Sequence, residues 1–486
     1  MIRLDAVRPL LVVVRGLGSL ATAAGRRWRA LPRDHRGPVL LLVLAAGLLV
    51  ALLPYGPWLA AGAVLAAAGG AGWHGERRAR GRSAVQSAAG ERLGLLYEAL
   101  VPYFSAAGDT SPEPLYERGG DWRRSFPSVA FGADGRIERL VLTYPAFFPD
   151  GDPECRARVE RLLAAKAGRG REFGFRWDEE RNELAMAALE PLPAEIRAQR
   201  FVTSPGETVL GFTDAGAVDR TVPVLGGPEY GELLDACPVM WRTGPRSAEP
   251  HLLVVGVPGA GATSLLRSVA LQALEHGDVL VVEGGGAAEF GCFAGRAGVV
   301  AVESAPGAAV AALEWAARET ERRLLAGGEG RTVPRPLWIV VDRPALLGHL
   351  ARIEGLRDPV RLLEVPLRFG RAVRVTVALA EHFEGLAGLG GAVLACARAR
   401  VVLGAVTAGQ VETVLGAAPG GSVTVATPPG RGFARLGAGP VYRLQVPATP
   451  DPGDEATDET LRRAVLALLP ARVAGRGEPA AAGGGG

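Results

Sequence analysis

The stretch "HLLVVGVPGAGATSLLRSV", residues 251–269, decides how the rest of the chain is read. It opens with an apolar run too short for a helix and too continuous for a half-exposed strand, so it predicts a strand buried on both faces. A glycine-punctuated turn follows, and then an apolar pattern of helical spacing. The turn has the form Gly256-x-x-x-x-Gly261-x-Thr263, the spacing of a phosphate-binding loop. In such a loop, glycines of unusual dihedral expose backbone N–H groups, which point at phosphate oxygens from a helix N-terminus. Gly256, Gly259, Gly261, Ala262, Thr263 and Ser264 form the nucleotide-binding set, with the Thr263 hydroxyl placed to ligate Mg²⁺. The position that calls for a lysine holds Ala262. Gly-rich turns between strand and helix also occur with no ligand.

A missing lysine removes the cation that neutralises the β- and γ-phosphates as the transferred group separates. Codon drift does not explain it, because Lys166 is the only lysine of the chain and drift toward arginine would leave arginine here. Arg267, one helical turn on, is the residue offered as a rescue. The partner motif is "PLWIVVDRP", residues 336–344, an apolar strand ending in Asp342, where a Mg²⁺-binding aspartate belongs. The next residue in a hydrolytic site is a carboxylate that activates water. Here it is Arg343, which cannot act as a base and repels a metal beside it. An ordinary salt bridge at a strand end is the alternative reading of Arg343.

Working outward, "DVLVVEG", "GVVAVES", "PLWIVVD", "RVTVALAE" and "ARVVLGAV" read as strands separated by helical segments, one of them Ala308 to Leu325. That alternation predicts an α/β fold with a mostly parallel sheet covered by helices. Upstream, from Ser128 to about Pro191, a strand, an amphipathic helix and a strand pair joined by a polar turn predict a small α/β adaptor. The longest apolar region, residues 37–73, has no charged residue and is interrupted by Pro54-Tyr55-Gly56-Pro57. It reads as a transmembrane hairpin of two short helices, 38–53 and 58–73. Arg26, Arg27, Arg29, Arg33 and Arg36 precede it and Arg77, Arg78, Arg80 and Arg82 follow it. Both ends are therefore expected in the cytoplasm, along with the bulk of the chain.

Composition bounds the rest. The 486 residues carry a net charge of +3, too small by itself to indicate nucleic acid. Cys155, Cys237, Cys292 and Cys396 are far apart, and so are the six histidines, which gives no metal-ligand spacing. The expected divisions are an Arg-rich N-terminus (1–36), the hairpin (37–73), a helical linker with the adaptor (83–220), the P-loop domain (221–448), and a tail with one capped helix and a Gly/Ala-rich end (449–486).

Several of these blocks together resemble FtsK/SpoIIIE-type translocases. "HLLVVGVPGAGATSLLRSVALQAL" is similar to that family's phosphate-loop segment, and "WAARETERRL", "PLWIVVDRP", "PLRFGRAVRVTVALAEHF" and "ARARVVLG" follow in the family's order. Gly370, Arg371 and Ala372 match a family run in which Ala380-Glu381-His382 stands where Ala-Thr-Gln is usual. "PPGRGFARLGAGPVYRLQVP" is similar to the closing strands of type VII secretion ATPases and actinobacterial plasmid-transfer proteins. The resemblance spans about residues 220 to 448. It implies a RecA-like fold, ATP and Mg²⁺ as ligands, assembly at a membrane, and a DNA or secreted-protein substrate.

The departures from the family fall on the chemistry, at Ala262, Arg343 and the sensor position His382. They predict a degenerate, pseudo-ATPase site that binds nucleotide weakly or not at all. The chain would then be a structural or regulatory member of a translocation assembly, as a homo-oligomer or beside an intact FtsK-like ATPase. The alternatives are an active ATP-driven DNA or protein pump with unconventional residues, and DNA binding through the arginines without a motor.

Overall fold

The computed structural model describes residues 89–105, 113–168, 170–193, 195–286, 288–326, 333–419 and 428–473. The expected hairpin, the Arg-rich segment before it and the Gly/Ala-rich end lie outside the described residues. Among the described residues no helix is long and apolar enough to cross a membrane. The chain divides into two compact units, Met1–Glu98 and Ala99–Gly486. The second unit carries the adaptor and the phosphate loop.

The adaptor is a 4-stranded antiparallel sheet in the order β1-β2-β4-β3. Its strands are β1 (Ser128–Phe131), β2 (Ile137–Thr143), β3 (Phe173–Asp178) and β4 (Glu183–Ala188). Alternation puts Leu140, Leu142, Leu184 and Met186 in the core. Helix α1 (Pro153–Ala167) starts where the Asp152 carboxylate accepts from the Glu154 N–H and Pro153 fixes the first turn. It buries Val159 and Leu163, and it is tied to β3 where the Trp177 indole N–H donates to Glu160 at 2.9 Å.

The second sheet has 11 strands in the order β10-β9-β11-β12-β8-β13-β14-β15-β5-β7-β6. From β10 to β13 every pairing is parallel; from β13 to β6 every pairing is antiparallel. The parallel part contains β8 (Leu252–Gly256), β9 (Asp278–Glu283), β10 (Val299–Glu303), β11 (Leu337–Asp342), β12 (Val375–His382) and β13 (Ala399–Leu403). It is the mixed α/β arrangement with a large parallel sheet expected from the alternating apolar runs.

These strands read as unbroken apolar runs because helices cover both faces. On one face α2 (Ala262–Leu274) packs Leu265, Leu266 and Val269 against Leu252, Val254, Val340 and Ala378. On the other, α3 (Pro306–Ala326) and α4 (Pro344–Ile353) bring Leu313 and Leu347 against Leu253, Val255, Ile339 and Val377. Each such side chain, fully buried, contributes roughly 1.5–3 kcal/mol.

The antiparallel wing, β14 (Arg431–Leu436), β15 (Val441–Gln445), β5 (Glu207–Thr213), β6 (Val222–Gly226) and β7 (Glu232–Arg242), extends the same sheet. β5 lies before residue 220, on the adaptor side of the expected division, yet it pairs with β15 and β7 in the large sheet. Short strands separated by Gly/Pro turns carry no signal of which distant edge they join. The adaptor meets this wing through Glu172, which pairs with Arg431 at 3.2 Å and accepts from Arg443 Nε at 3.0 Å. The tail contributes α5 (Glu459–Leu468), capped by the Asp458 carboxylate, and buries Val465 and Leu469 in the core.

Candidate functional site

Because β8, β9, β11 and β12 run parallel, their carboxyl ends open on one edge, where α/β sheets place ligands. The register aligns Asp342 with Glu283 on one side and Ala380 on the other, and His382 with Gly256. Four stretches distant in sequence thereby meet in one cleft of about 320 Å³, lined by Gly259–Ser264, Glu283, Glu289, Asp342, Arg343 and His382.

The loop has the backbone its glycines promise. Gly259 and Gly261 sit at φ +77° and +98°, in the region that side chains rarely adopt. Gly261 is the N-cap of α2 and supplies no side-chain cap, so the first-turn N–H groups of a 13-residue helix are left for a ligand. The loop is braced from behind: Val257 N–H donates to Leu403 O at 3.2 Å and Gly430 N–H to Ala260 O at 2.8 Å. Gly404 packs so closely on Val257 that a Cβ there would lie 2.4 Å from it.

Opposite the loop, the Thr263 hydroxyl donates to Asp342 Oδ2 at 3.0 Å. Asp342 is 8% exposed. Burial pushes its carboxyl up to about 7, with Glu289 and Glu283 adding to the effect and the Thr263 hydrogen bond and Arg343 opposing it. Burial also raises the Glu283 carboxyl above the usual range, against the pull of the Glu289 and Phe290 backbone.

The Thr263–Asp342 spacing tests whether Mg²⁺ fits. Bonds of about 2.0–2.1 Å in an octahedron put neighbouring ligand oxygens about 2.9 Å apart, so the spacing matches. The charge is opposed: the residue adjoining Asp342 is a cation, Arg343, which repels a divalent ion.

Arg343 occupies a special backbone position, at φ +55° and ψ +53° as the N-cap of α4. Its N–H donates to Ala380 O at 2.8 Å. The peptide after it presses on the end of β9, where a Cβ on Gly284 would fall 2.1 Å from Arg343 O. The salt bridge entertained for this residue does not form: among the described residues its side chain has neither an ion pair nor a hydrogen bond, and its Nε is buried without a partner. The N-terminus of α4 is capped from β12 instead, by Glu381, whose Oε2 accepts from Ala345 N–H at 2.8 Å. That accounts for Glu381 structurally, while His382 beside it lines the cleft.

Arg267, offered as the substitute for the lysine, is 2% exposed and engaged elsewhere. Its Nε and Nη2 donate to Glu289 O at 3.2 and 3.0 Å, and its Nη1 to Thr449 O at 2.6 Å. It also faces the Phe290 ring and pairs with the Glu289 carboxylate at 3.5 Å. Its charge is spent on joining the 289–290 turn to the start of the tail. Glu283 and Glu289 are the cleft residues that the sequence reading did not single out. The available signal was an acid at the carboxyl end of "DVLVVEG", a strand recognised only as a strand.

Several solved structures are similar to this one. They are FtsK/SpoIIIE-like P-loop ATPases. The pCW3 conjugation coupling protein TcpA, in a monomer form with ATPγS, is 14% identical, over 78% of this chain and 99% of that chain, with a TM-score of 0.43. EssC (ATPases 2 and 3) from Geobacillus thermodenitrificans is 13% identical, over 58% of this chain and 52% of that one, with a TM-score of 0.41. The cytoplasmic domain of the Thermomonospora curvata type VII secretion ATPase EccC is 20% identical, over 58% and 34%, with a TM-score of 0.38. This chain spans about half and a third of the length of the last two. No protein-family model matches the chain, and no curated protein does. The chemistry of the cleft rests on its own residues.

Proposed function

We propose that this chain is a membrane-anchored, FtsK/SpoIIIE-like protein whose nucleotide site does not turn over ATP, and that it serves a DNA or protein translocation assembly as a structural or regulatory subunit. One observation carries the reading. The cleft keeps the cradle for a phosphate chain, yet Ala262 stands at the lysine position and Arg343 at the position of the water-activating acid, while Arg267 is bound up with Glu289 and Thr449. Two charge-handling groups are absent at once, and each is the kind of group whose loss costs orders of magnitude in rate. The charge-free apolar run at 37–73, flanked by arginines, supports the membrane anchor. ATP is then a ligand at most, and partners are further copies of this chain or an intact ATPase of the same type.

The test is phosphate release by the full chain in detergent micelles with Mg²⁺ and ATP, beside the Asp342→Ala variant. Release at background level in both supports the reading. Mg²⁺-dependent turnover that disappears in the variant overturns it in favour of an active pump.

A further inference from the structure

Three features of the cleft bear on what it can hold. The first-turn N–H groups of α2 have no side-chain cap, and the loop glycines carry the positive φ that turns the backbone toward a ligand. The two oxygens that would ligate a metal, on Thr263 and Asp342, are joined to each other at 3.0 Å. Arg343, half-buried, lines this cleft, and its buried Nε has no hydrogen-bond partner among the described residues.

An arginine in that condition is unusual. A buried donor on a cation costs free energy unless it is paired, so proteins rarely keep one idle. Arg267 nearby shows the ordinary outcome, with all three of its nitrogens donating to backbone carbonyls. Arg343 is also held in place, by its N–H on Ala380 O and by the close fit of its carbonyl against Gly284. Its Cδ passes 3.9 Å from where a Cβ on Gly285 would stand, so its stem runs close along the Gly285 side of the cleft. A planar guanidinium matches phosphate oxygens in two-point geometry, and it needs no metal to do so.

We propose that Arg343 takes the place of both the missing lysine and the metal, so that the cleft holds a phosphate chain on the loop N–H groups and the Arg343 guanidinium without Mg²⁺. This rests on the reading that the site does not hydrolyse ATP, and it changes what the residue after Asp342 is for. It is a phosphate anchor rather than the remnant of a water-activating acid. The shared chemistry is a di- or triphosphate; the ligand's source is either a nucleotide or a free polyphosphate.

The experiment is calorimetric titration of the full chain in detergent micelles with ATP, with inorganic tripolyphosphate and with AMP, first in EDTA and then with excess Mg²⁺. ATP binding in EDTA that is not strengthened by Mg²⁺, with AMP at least tenfold weaker, supports the proposal. Tripolyphosphate matching ATP assigns the affinity to the phosphate chain alone, whereas ATP binding without tripolyphosphate adds the nucleoside to it. Arg343→Gln should weaken ATP by about tenfold or more, the loss of one charge-assisted contact, and Arg343→Lys should recover much of it. Binding that requires Mg²⁺, no binding of either polyphosphate in EDTA, or a folded Arg343→Gln protein that binds as tightly as wild type overturns it. The comparison of EDTA with Mg²⁺ uses the unaltered protein and so does not depend on a variant folding. Turnover in Mg²⁺ would overturn the non-hydrolysing reading while leaving the result in EDTA intact.

Discussion

Replacing Asp342 by asparagine should stabilise this protein above neutral pH and leave it unchanged in acid. In the folded chain the carboxyl is 8% exposed and titrates at about 7, against 3.8 for an unburied aspartate. A folded pKa above the unfolded one means that the native state binds the extra proton between those two values. The stability it confers is complete below pH 4 and is lost as pH rises through 7. Roughly three units at about 1.4 kcal/mol each put the loss at about 4 kcal/mol by pH 8. Asparagine keeps an oxygen to accept from Thr263 and never ionises, so it avoids that loss. The assay is the melting temperature of both proteins from pH 4 to 8.5, read as a difference. The variant should match wild type near pH 4, pull ahead steadily to pH 7 and then hold a lead of at least about 4 °C. A difference that does not change with pH would refute the burial argument.

Two further outcomes follow from buried groups outside the phosphate contacts. His251 is fully buried, accepts from Val377 N–H at 3.0 Å through Nδ1, and is held by burial at about 4. Its folded pKa lies below the unfolded 6.5, so stability is present above pH 6.5 and falls by about 3 kcal/mol on the way to pH 4. His251→Phe should cost about 1–3 kcal/mol at pH 8 for the orphaned N–H and lose that acid sensitivity, as denaturation at pH 8 and pH 5 would reveal. Arg267→Ala leaves the Glu289 and Thr449 carbonyls without their buried donor and should destabilise by about 3–5 kcal/mol, whereas Arg318→Ala, which removes an exposed arginine paired with Glu314, should stay within about 1 kcal/mol. Equal melting temperatures for the two variants would mean that Arg267 is not the tie described.

Much of the parallel half was legible because its evidence is local. Apolar runs such as "LWIVVD" and "VTVALAE" are short, β-branched and uninterrupted, which suits a strand covered on both faces. The backbone of the 256–263 turn was legible because glycine spacing encodes dihedrals directly, and Gly259 and Gly261 adopt them. The adaptor's helix and strand pair followed from period and turn chemistry alone. The antiparallel wing was not legible, since β5 reaches β15 across more than two hundred residues and nothing local names that edge. The same holds for Glu283 and Glu289, which enter the cleft only because β9 lies beside β11.

Sequence by itself therefore determined which residue types occupy the loop and the strand end: Ala262 between Gly261 and Thr263, and Arg343 after Asp342. These are covalent facts that no folding can alter. Only the tertiary structure decided what the charges do. It turned Arg267 into a tie between the 289–290 turn and the tail, buried Asp342 against Thr263, and left Arg343 on the cleft wall with no acceptor. The reason is physical: a side chain's charge acts through its distance to other charges and through the water excluded around it, and both are set by the packing of segments that lie far apart along the chain.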